Sequence, residues 1–261
     1  MKVIVAIKQV YDPKSVRVSR SRGTLDTREA AFMMNPGDRY ALEEALKLKD
    51  EHSAQVVTIS TGPPEAEDIL RESLAMNVDE AVLISDEAFS EIDVAGAVMI
   101  VAKGIEKIGD YDLVLTGCKA LGDGSGQFGP QLAEYLDLPQ ITRASHLLVE
   151  DGKVRARRNL SDGYELMEAS IPLLLSIDEA ANEPRYATLP GSIAAYDEHT
   201  VTIWGAADLS LSPEEIAEIS RTEVRGTYAG PERVIGSVIT GEPADVAKEL
   251  LQELKGKGLI T

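Results

Sequence analysis

Cysteine is nearly absent from this 261-residue chain. The single Cys118 excludes an intrachain disulfide framework and fits a reducing interior. Histidine is almost as scarce: with only His52, His146 and His199, no His/Cys cluster has metal-ligand spacing. No Ser/His/Asp set or carboxylate pair stands out either, which points away from hydrolytic chemistry on the protein itself. Basic residues are in deficit, 26 against 44 acidic ones, for a formal charge of −18. That balance suits solubility and argues against nucleic acid or an anionic membrane as the main partner. No run reaches the ~18 apolar residues needed to cross a bilayer. The opening Met1–Ile7 lacks the charged region and long apolar block of a signal peptide, so a cytoplasmic location is expected. Repeats and low-complexity tracts are missing too. A bound cofactor would have to carry any reaction.

What is present reads as a globular α/β chain, 44% hydrophobic and 27% charged, forming one large domain or a domain with an appendage. Residues 3–7 are apolar without alternation, as in a parallel strand covered on both faces. Further strands are expected at Gln55–Ser60, Ala81–Ser85, Leu113–Thr116 and Pro172–Ile177. Helical patterns fall between the early ones: Tyr40–Asp50 and Glu65–Met76 each carry an apolar face, and Ile92–Ile108 is more apolar throughout, as in a more deeply buried helix. Alternating strands and helices predict a mostly parallel sheet with helices on both faces. Ligands in such sheets sit outside the carboxyl ends of the strands. Here those ends are Lys8 onward, Thr61-Gly62, Ser85-Asp86 and Gly117–Gly129.

The most informative end is the last. An apolar strand at 112–117 leads into a glycine-dense loop and then a helix that includes Pro130–Leu136. Gly122, Gly124, Gly126 and Gly129 permit positive φ, so backbone amides can turn inward toward an anion at the helix N-terminus. A phosphate cradle and a mobile surface loop both fit that pattern. The loop is neither G-x-G-x-x-G nor a P-loop, so neither of those mechanisms applies. In Asn35-Pro36-Gly37-Asp38, Asp38 is expected as a helix N-cap, while Asn35 either caps the turn or offers its amide to a base or ribose.

Other segments decorate this core. Tyr11–Met34 is an excursion expected to lay a β-hairpin on a sheet edge. Alternation over Thr142–Val149, Lys153–Leu160 and Tyr164–Ala169 predicts antiparallel strands, with His146 on their surface. The stretch 178–191 has no period; it suits either a protruding partner-contact loop with Tyr186 and Leu189 exposed or a packed crossover. Val201–Trp204 is a strand, Gly205–Gly241 has little core of its own, and a helix from Pro243 carries Val246, Ala247, Leu250, Leu251 and Leu254 on one side. The chain divides accordingly into a core at 1–177, a loop and return strand at 178–204, and an arm at 205–261.

Four strings, in order, resemble the β subunit of electron transfer flavoprotein over essentially the whole length. They are Val5-Ala6-Ile7-Lys8-Gln9-Val10, Asn35–Asp38 with Ala41–Ala45, Gln127-Phe128-Gly129-Pro130, and Asn182–Pro190, the last being the most specific. The resemblance implies a nucleotide-binding α/β chain in a heterodimer with an FAD-carrying α subunit. It implies a second adenine nucleotide in the β chain, FAD in electron-bifurcating members and AMP in housekeeping ones. Residues implied to bind it are Ala6, Lys8, Asn35, Pro36, Gly37, Asp38 and Thr61, with Gly117, Cys118, Lys119, Asp123, Gly124, Ser125, Gly126, Gln127 and Phe128 from the loop. Glu183, Arg185, Tyr186, Leu189 and Pro190 are implied to contact an acyl-CoA dehydrogenase, with Leu189 as the anchor. Asp38, Gly129-Pro130 with Ala133-Glu134, and the Gly241-Glu242-Pro243 helix look more like bifurcating members. In those, NADH reduces the β-side FAD; one electron goes to ferredoxin or flavodoxin and the other to the α-side FAD. Two other readings stand beside this one: a housekeeping subunit holding AMP structurally, and a self-associating nucleotide-sensing module of the universal-stress type.

Overall fold

The structure, a computed structural model, describes residues 1–19, 24–90, 92–122, 124–219, 222, 225 and 236–260. The unbroken apolar run near the start forms β1 (Lys2–Ala6), buried on both sides as its composition requires. Two small ribbons follow, β2 (Gln9–Tyr11) with β5 (Phe32–Met34) and β3 (Arg17–Ser19) with β4 (Thr24–Asp26). Then strands and helices alternate: α1 (Pro36–His52), β6 (Gln55–Thr61), α2 (Glu67–Ala75), β7 (Glu80–Ile84), α3 (Val94–Ile108), β8 (Leu113–Gly117) and α4 (Phe128–Tyr135). A meander of β9 (Gln140–Glu150), β10 (Lys153–Asn159) and β11 (Tyr164–Ser170) precedes β12 (Leu173–Ile177). After it come α5 (Leu189–Asp197), β13 (Val201–Trp204), α6 (Pro213–Ile219) and α7 (Pro243–Gly256).

One nine-stranded sheet runs β11-β10-β9-β12-β8-β1-β6-β7-β13. It is parallel from β9 to β13 and antiparallel over β9-β10-β11. The mostly parallel sheet is as the sequence predicts. Alternate residues of the central strands β12, β8, β1, β6 and β7 feed two cores. Val3, Val5, Leu113 and Leu115 pack under α1 and α2, with Leu42, Leu46 and Leu70. Ile4, Val57, Ile59 and Val114 pack under α3 and α4, with Ile100, Ile105 and Leu132. Each such fully buried leucine or isoleucine contributes roughly 1.5–3 kcal/mol. Asp93 caps α3 by accepting from the Gly96 amide at 3.0 Å.

Strand order fixes where a ligand belongs. The chain steps from β1 to β6 to β7 across α1 and α2, then returns through α3 on the opposite face to β8, the other neighbour of β1. The order therefore reverses between β1 and β8, and the crevice outside their carboxyl ends is the switch point.

Two expectations need correction. The excursion does not lie on a sheet edge. β1 is central, with β6 and β8 on its two sides, so the ribbons form separate two-stranded sheets; the tip of β3–β4, with Gly23, lies outside the described residues. The aperiodic segment does not stay irregular to its end, because Thr188 caps α5 by accepting from the Gly191 amide at 3.1 Å. The apolar part of α5 is short and lies mostly outward, which hides its helical period. The start of the arm leans on this same chain, with Leu209, Leu211 and Ile216 buried in the core under α3. By contrast α7 has no buried residue, and Leu250 and Leu251 are exposed.

Candidate functional site at the switch point

The crevice is built by a buried carboxylate and by backbone packed too closely for side chains. Asp38 sits in the first turn of α1 with its Oδ2 accepting from the Lys8 amide at 2.8 Å and its Oδ1 accepting from Asn35 Nδ2 at 2.9 Å. Burial pushes its carboxyl up to about 7, opposed by hydrogen bonds from Asn35, Lys8 and Gly117 and by the Lys8 charge. Asp38 is thus not the N-cap. Asn35 occupies that position, and Asp38, a turn further on, ties α1 to the ends of β1 and β8.

Asn35 is itself a strut. Its Nδ2 also donates to the Lys119 carbonyl at 3.0 Å, its Oδ1 accepts from the Leu121 amide at 3.1 Å, and its own amide donates to the Lys8 carbonyl at 2.8 Å. The side-chain amide is engaged within the protein and sets the loop's path. Two glycines make the approach possible. A Cβ on Gly117 would lie 2.5 Å from Asp38 Oδ1 and 2.6 Å from the Gly37 carbonyl carbon, and one on Gly37 would lie 2.7 Å from the Lys119 carbonyl oxygen.

The loop between β8 and α4 is held open in the way its glycines allow. Gly122, Gly124 and Gly126 have φ of 113°, 61° and 66°. The Gly124 amide donates to the Ala120 carbonyl at 3.1 Å, and the Gln127 amide donates to Ser125 Oγ at 3.4 Å. Gln127 is the N-cap residue of α4, but its Oε1 accepts from Gln131 Nε2 at 3.0 Å and its side chain does not cap. Phe128, the first residue of α4, is half-buried against the core that α3 and α4 cover. Gly129 is buried, and a Cβ there would come within 2.7 Å of Thr116 Oγ1, a buried hydroxyl without a hydrogen-bond partner among the described residues. Ser60 Oγ, next to Thr61, is likewise buried and unpartnered. Cys118 Sγ donates to Ser176 Oγ at 3.8 Å, and burial raises its pKa, so it remains a thiol.

The structure brings Ala6, Lys8, Asn35, Pro36, Gly37 and Asp38 together with Gly117, Cys118 and Lys119, and the rest of the glycine loop leads on from them. Thr61 stands one strand away, its Oγ1 donating to the Ile84 carbonyl at 3.2 Å. Asp123 lies outside the described residues. Lys8 and Lys119 are exposed, and no ion pair engages either ammonium among the described residues.

The second set of predicted residues lies elsewhere, on a strap that leaves β12 and crosses α1 and α2 to reach β13 at the opposite part of the sheet. Arg185 grips Glu43, its Nε and Nη2 each donating at 3.0 Å, and Nη2 also reaches Asp50 at 2.8 Å. Asn182 Nδ2 donates to Glu44 at 2.8 Å and to the Tyr40 carbonyl at 3.0 Å. Arg71 of α2 donates to the Ala195 and His199 carbonyls and lies over the Tyr196 ring, 4.9 Å from its centroid. Between these anchors Glu183, Tyr186, Leu189 and Pro190 are exposed, Tyr186 at 86% and Leu189 at 77%. The strap is a packed crossover that leaves Tyr186 and Leu189 exposed. Sequence reasoning missed its receivers on α1 and α2; the signal was the pair Glu43-Glu44 set inside the apolar stripe of α1.

Among the described residues no helix is long and apolar enough to cross a membrane, and no group of His, Cys, Asp and Glu could hold a metal ion. Comparison with known proteins gives a match to the family described as "Electron transfer flavoprotein domain" over residues 23–208. The chain is 38% identical over 263 residues to "Caffeyl-CoA reductase-Etf complex subunit CarD" of Acetobacterium woodii, covering 100% of both. It is 36% identical over 261 residues to "Electron transfer flavoprotein subunit beta" of Thermoanaerobacterium thermosaccharolyticum, again covering 100% of both. To "Acryloyl-CoA reductase electron transfer subunit gamma" of Anaerotignum propionicum it is 33% identical over 270 residues, with both fully covered. The family match covers more than half of the chain and the relatives span its whole length, strap included; the chain belongs to the electron transfer flavoprotein family, as a β-subunit member.

Proposed function

We propose that this chain is the β subunit of a heterodimeric electron transfer flavoprotein and holds FAD in the crevice between β1 and β8. The observation that carries this reading is the glycine loop meeting the Asn35–Asp38 turn at the switch point, with Thr116 Oγ1 buried and unpartnered at the start of α4. A phosphate group suits that place: loop amides beside positive-φ glycines, the α4 N-terminus, and the ammonium groups of Lys8 and Lys119 all favour an anion. Asn35 and Asp38 act behind them, fixing the loop rather than touching the ligand. Ala6, Thr61 and Phe128 bound the crevice along the sheet ends.

When bound, the flavin supplies the redox chemistry. The chain's part is to hold the nucleotide in a fixed orientation and present the strap to a partner. NADH is the proposed donor and an acyl-CoA dehydrogenase or reductase the proposed acceptor, reached through the α-subunit FAD. Relatives named as subunits of caffeyl-CoA reductase and acryloyl-CoA reductase complexes support that class of partner. Bifurcation toward ferredoxin or flavodoxin belongs to this reading. The division of labour proposed is a nucleotide core at 1–177, a docking strap and return strand at 178–204, and an arm at 205–261 whose α7 stripe packs on the α subunit. The alternative is AMP at the same site, which the same loop amides would hold.

Co-purification with the α subunit followed by extraction separates the two. Two FAD per heterodimer are expected; one FAD with one AMP would favour the structural alternative. A heterodimer with neither nucleotide in the β chain would end both.

A further inference from the structure

We propose that Glu43 is the positioning residue of the docking strap: its buried carboxylate holds the backbone at Arg185 in place and thereby sets how Tyr186 and Leu189 meet the partner. The inference rests on the docking reading above. Exposed apolar tips present a fixed shape only if the chain beneath them is held, and Arg185 immediately precedes Tyr186. Glu43 accepts from the Arg185 amide at 2.9 Å and from both Nε and Nη2 of its guanidinium. One carboxylate thus orients main chain and side chain of the same residue, the two-pronged recognition that a planar guanidinium permits.

Stability alone does not call for a charge here. The Glu43 side chain is 6% exposed, and a buried ion pair is often no better for stability than well-packed apolar residues. What a buried pair can add is a single register, and register is what a docking strap needs. The neighbouring anchors act in the same sense: Asn182 on Glu44 upstream, and Arg71 on the Ala195 and His199 carbonyls downstream. All but Arg71 fix the strap to α1, whose first turn holds Asp38 and the crevice. The strap is therefore registered to the same rigid helix as the nucleotide turn, with Glu43 about 7.5 Å along the axis from Asp38.

The test uses the co-purified heterodimer carrying Glu43→Gln, with a butyryl-CoA dehydrogenase as the probe partner. The expected result is a KM for the dehydrogenase raised about tenfold with kcat and FAD content unchanged. Amide hydrogen exchange over residues 186–196 should accelerate about tenfold or more, with the sheet amides unmoved. Glu43→Asp, which keeps the charge but shortens its reach, should recover part of the KM. Unchanged exchange and KM in Glu43→Gln, beside a wild type that saturates normally, would overturn the assignment of Glu43. So would a loss of FAD and of thermal stability in step with the rise in KM. A wild-type heterodimer that shows no saturation with the dehydrogenase would instead fell the docking reading itself.

Discussion

The crevice turn and the strap both hang on α1, yet they are secured by opposite means. At the crevice, backbone meets backbone: Gly37 and Gly117 touch where no Cβ fits, and a buried Asp38 gathers the amides around it. At the strap, long charged side chains reach across in both directions, Arg185 from the strap to Glu43 and Asp50 of α1 and Arg71 from α2 to the Ala195 and His199 carbonyls, in partial contact with water. Backbone contact leaves almost no tolerance for change, which suits the nucleotide site proposed there. Side-chain anchors hold the strap in one register without close backbone contact, which suits the docking surface proposed for it. The difference predicts where substitutions damage folding and where they damage only docking.

The sharpest way to break the comparison is Gly117→Ala. Its methyl group would press on Asp38 and the Gly37 backbone, neither of which can rotate away. Overpacking of this kind costs about 1–3 kcal/mol, or more where backbone must move. We expect Tm to fall by roughly 5–10 °C and bound nucleotide to be lost. Gly163→Ala is the control: nothing lies within 4 Å of its Cβ and its φ is not positive, so its stability should stay within ~0.5 kcal/mol of wild type. Equal effects at the two glycines, measured by thermal melting, would remove the distinction drawn here.

A second test exploits the carboxyl at the centre of the crevice. Asp38 titrates at about 7 in the folded chain against an ordinary 3.8. Below the lower value the group is protonated in both states. Between the two, the unfolded chain releases a proton that the folded chain keeps, so this group's stabilisation is lost as pH rises, by up to ~1.4 kcal/mol per pH unit. Asp38→Asn removes the titration. Urea unfolding from pH ~4 to ~8 should show wild type losing its advantage over the variant up to about 7 and no further change beyond. A constant difference over the whole range would mean that Asp38 stays ionised throughout.

How much of this was legible beforehand follows from the same contrast. Residues 3–7 and the alternation in β9–β11 declare their strands because periodicity records burial, and burial is what a sheet imposes. Gly122, Gly124 and Gly126 were readable for a similar reason, since positive φ restricts residue choice; Gly129 lacks positive φ and is held to glycine by Thr116 Oγ1, 2.7 Å from where a Cβ would lie. Asp38 was placed in the right turn and given the wrong task. An acidic residue before a helix looks the same whether it caps its own amides or those of a strand thirty residues earlier. Glu43-Glu44 inside the apolar stripe of α1 marked a buried receiver, but its partner could not be read, because Arg185 and Glu43 are paired by topology and nothing local to either residue encodes the other. Thr116 and Ser60 were overlooked because a hydroxyl late in an apolar strand carries no sign of lacking a partner.

Leu189→Ala carries the smallest energetic effect and separates the two regions most cleanly. Leu189 is 77% exposed, so its truncation should leave the melting temperature of the chain and the FAD content of the heterodimer unchanged. Its side chain stands at the first turn of α5, where the Thr188 cap holds the backbone whatever residue follows. An anchor that fills a pocket on the partner is typically a hot spot worth more than 1 kcal/mol, so KM for the dehydrogenase should rise about tenfold. Glu43→Gln, acting from beneath, should change KM in the same direction and also loosen the strap's amides. Leu189→Ala should leave those amides as protected as in wild type. If instead the leucine variant loses flavin in proportion to its loss of electron delivery, the strap is part of the folded core, and docking must be sought on the exposed stripe of α7.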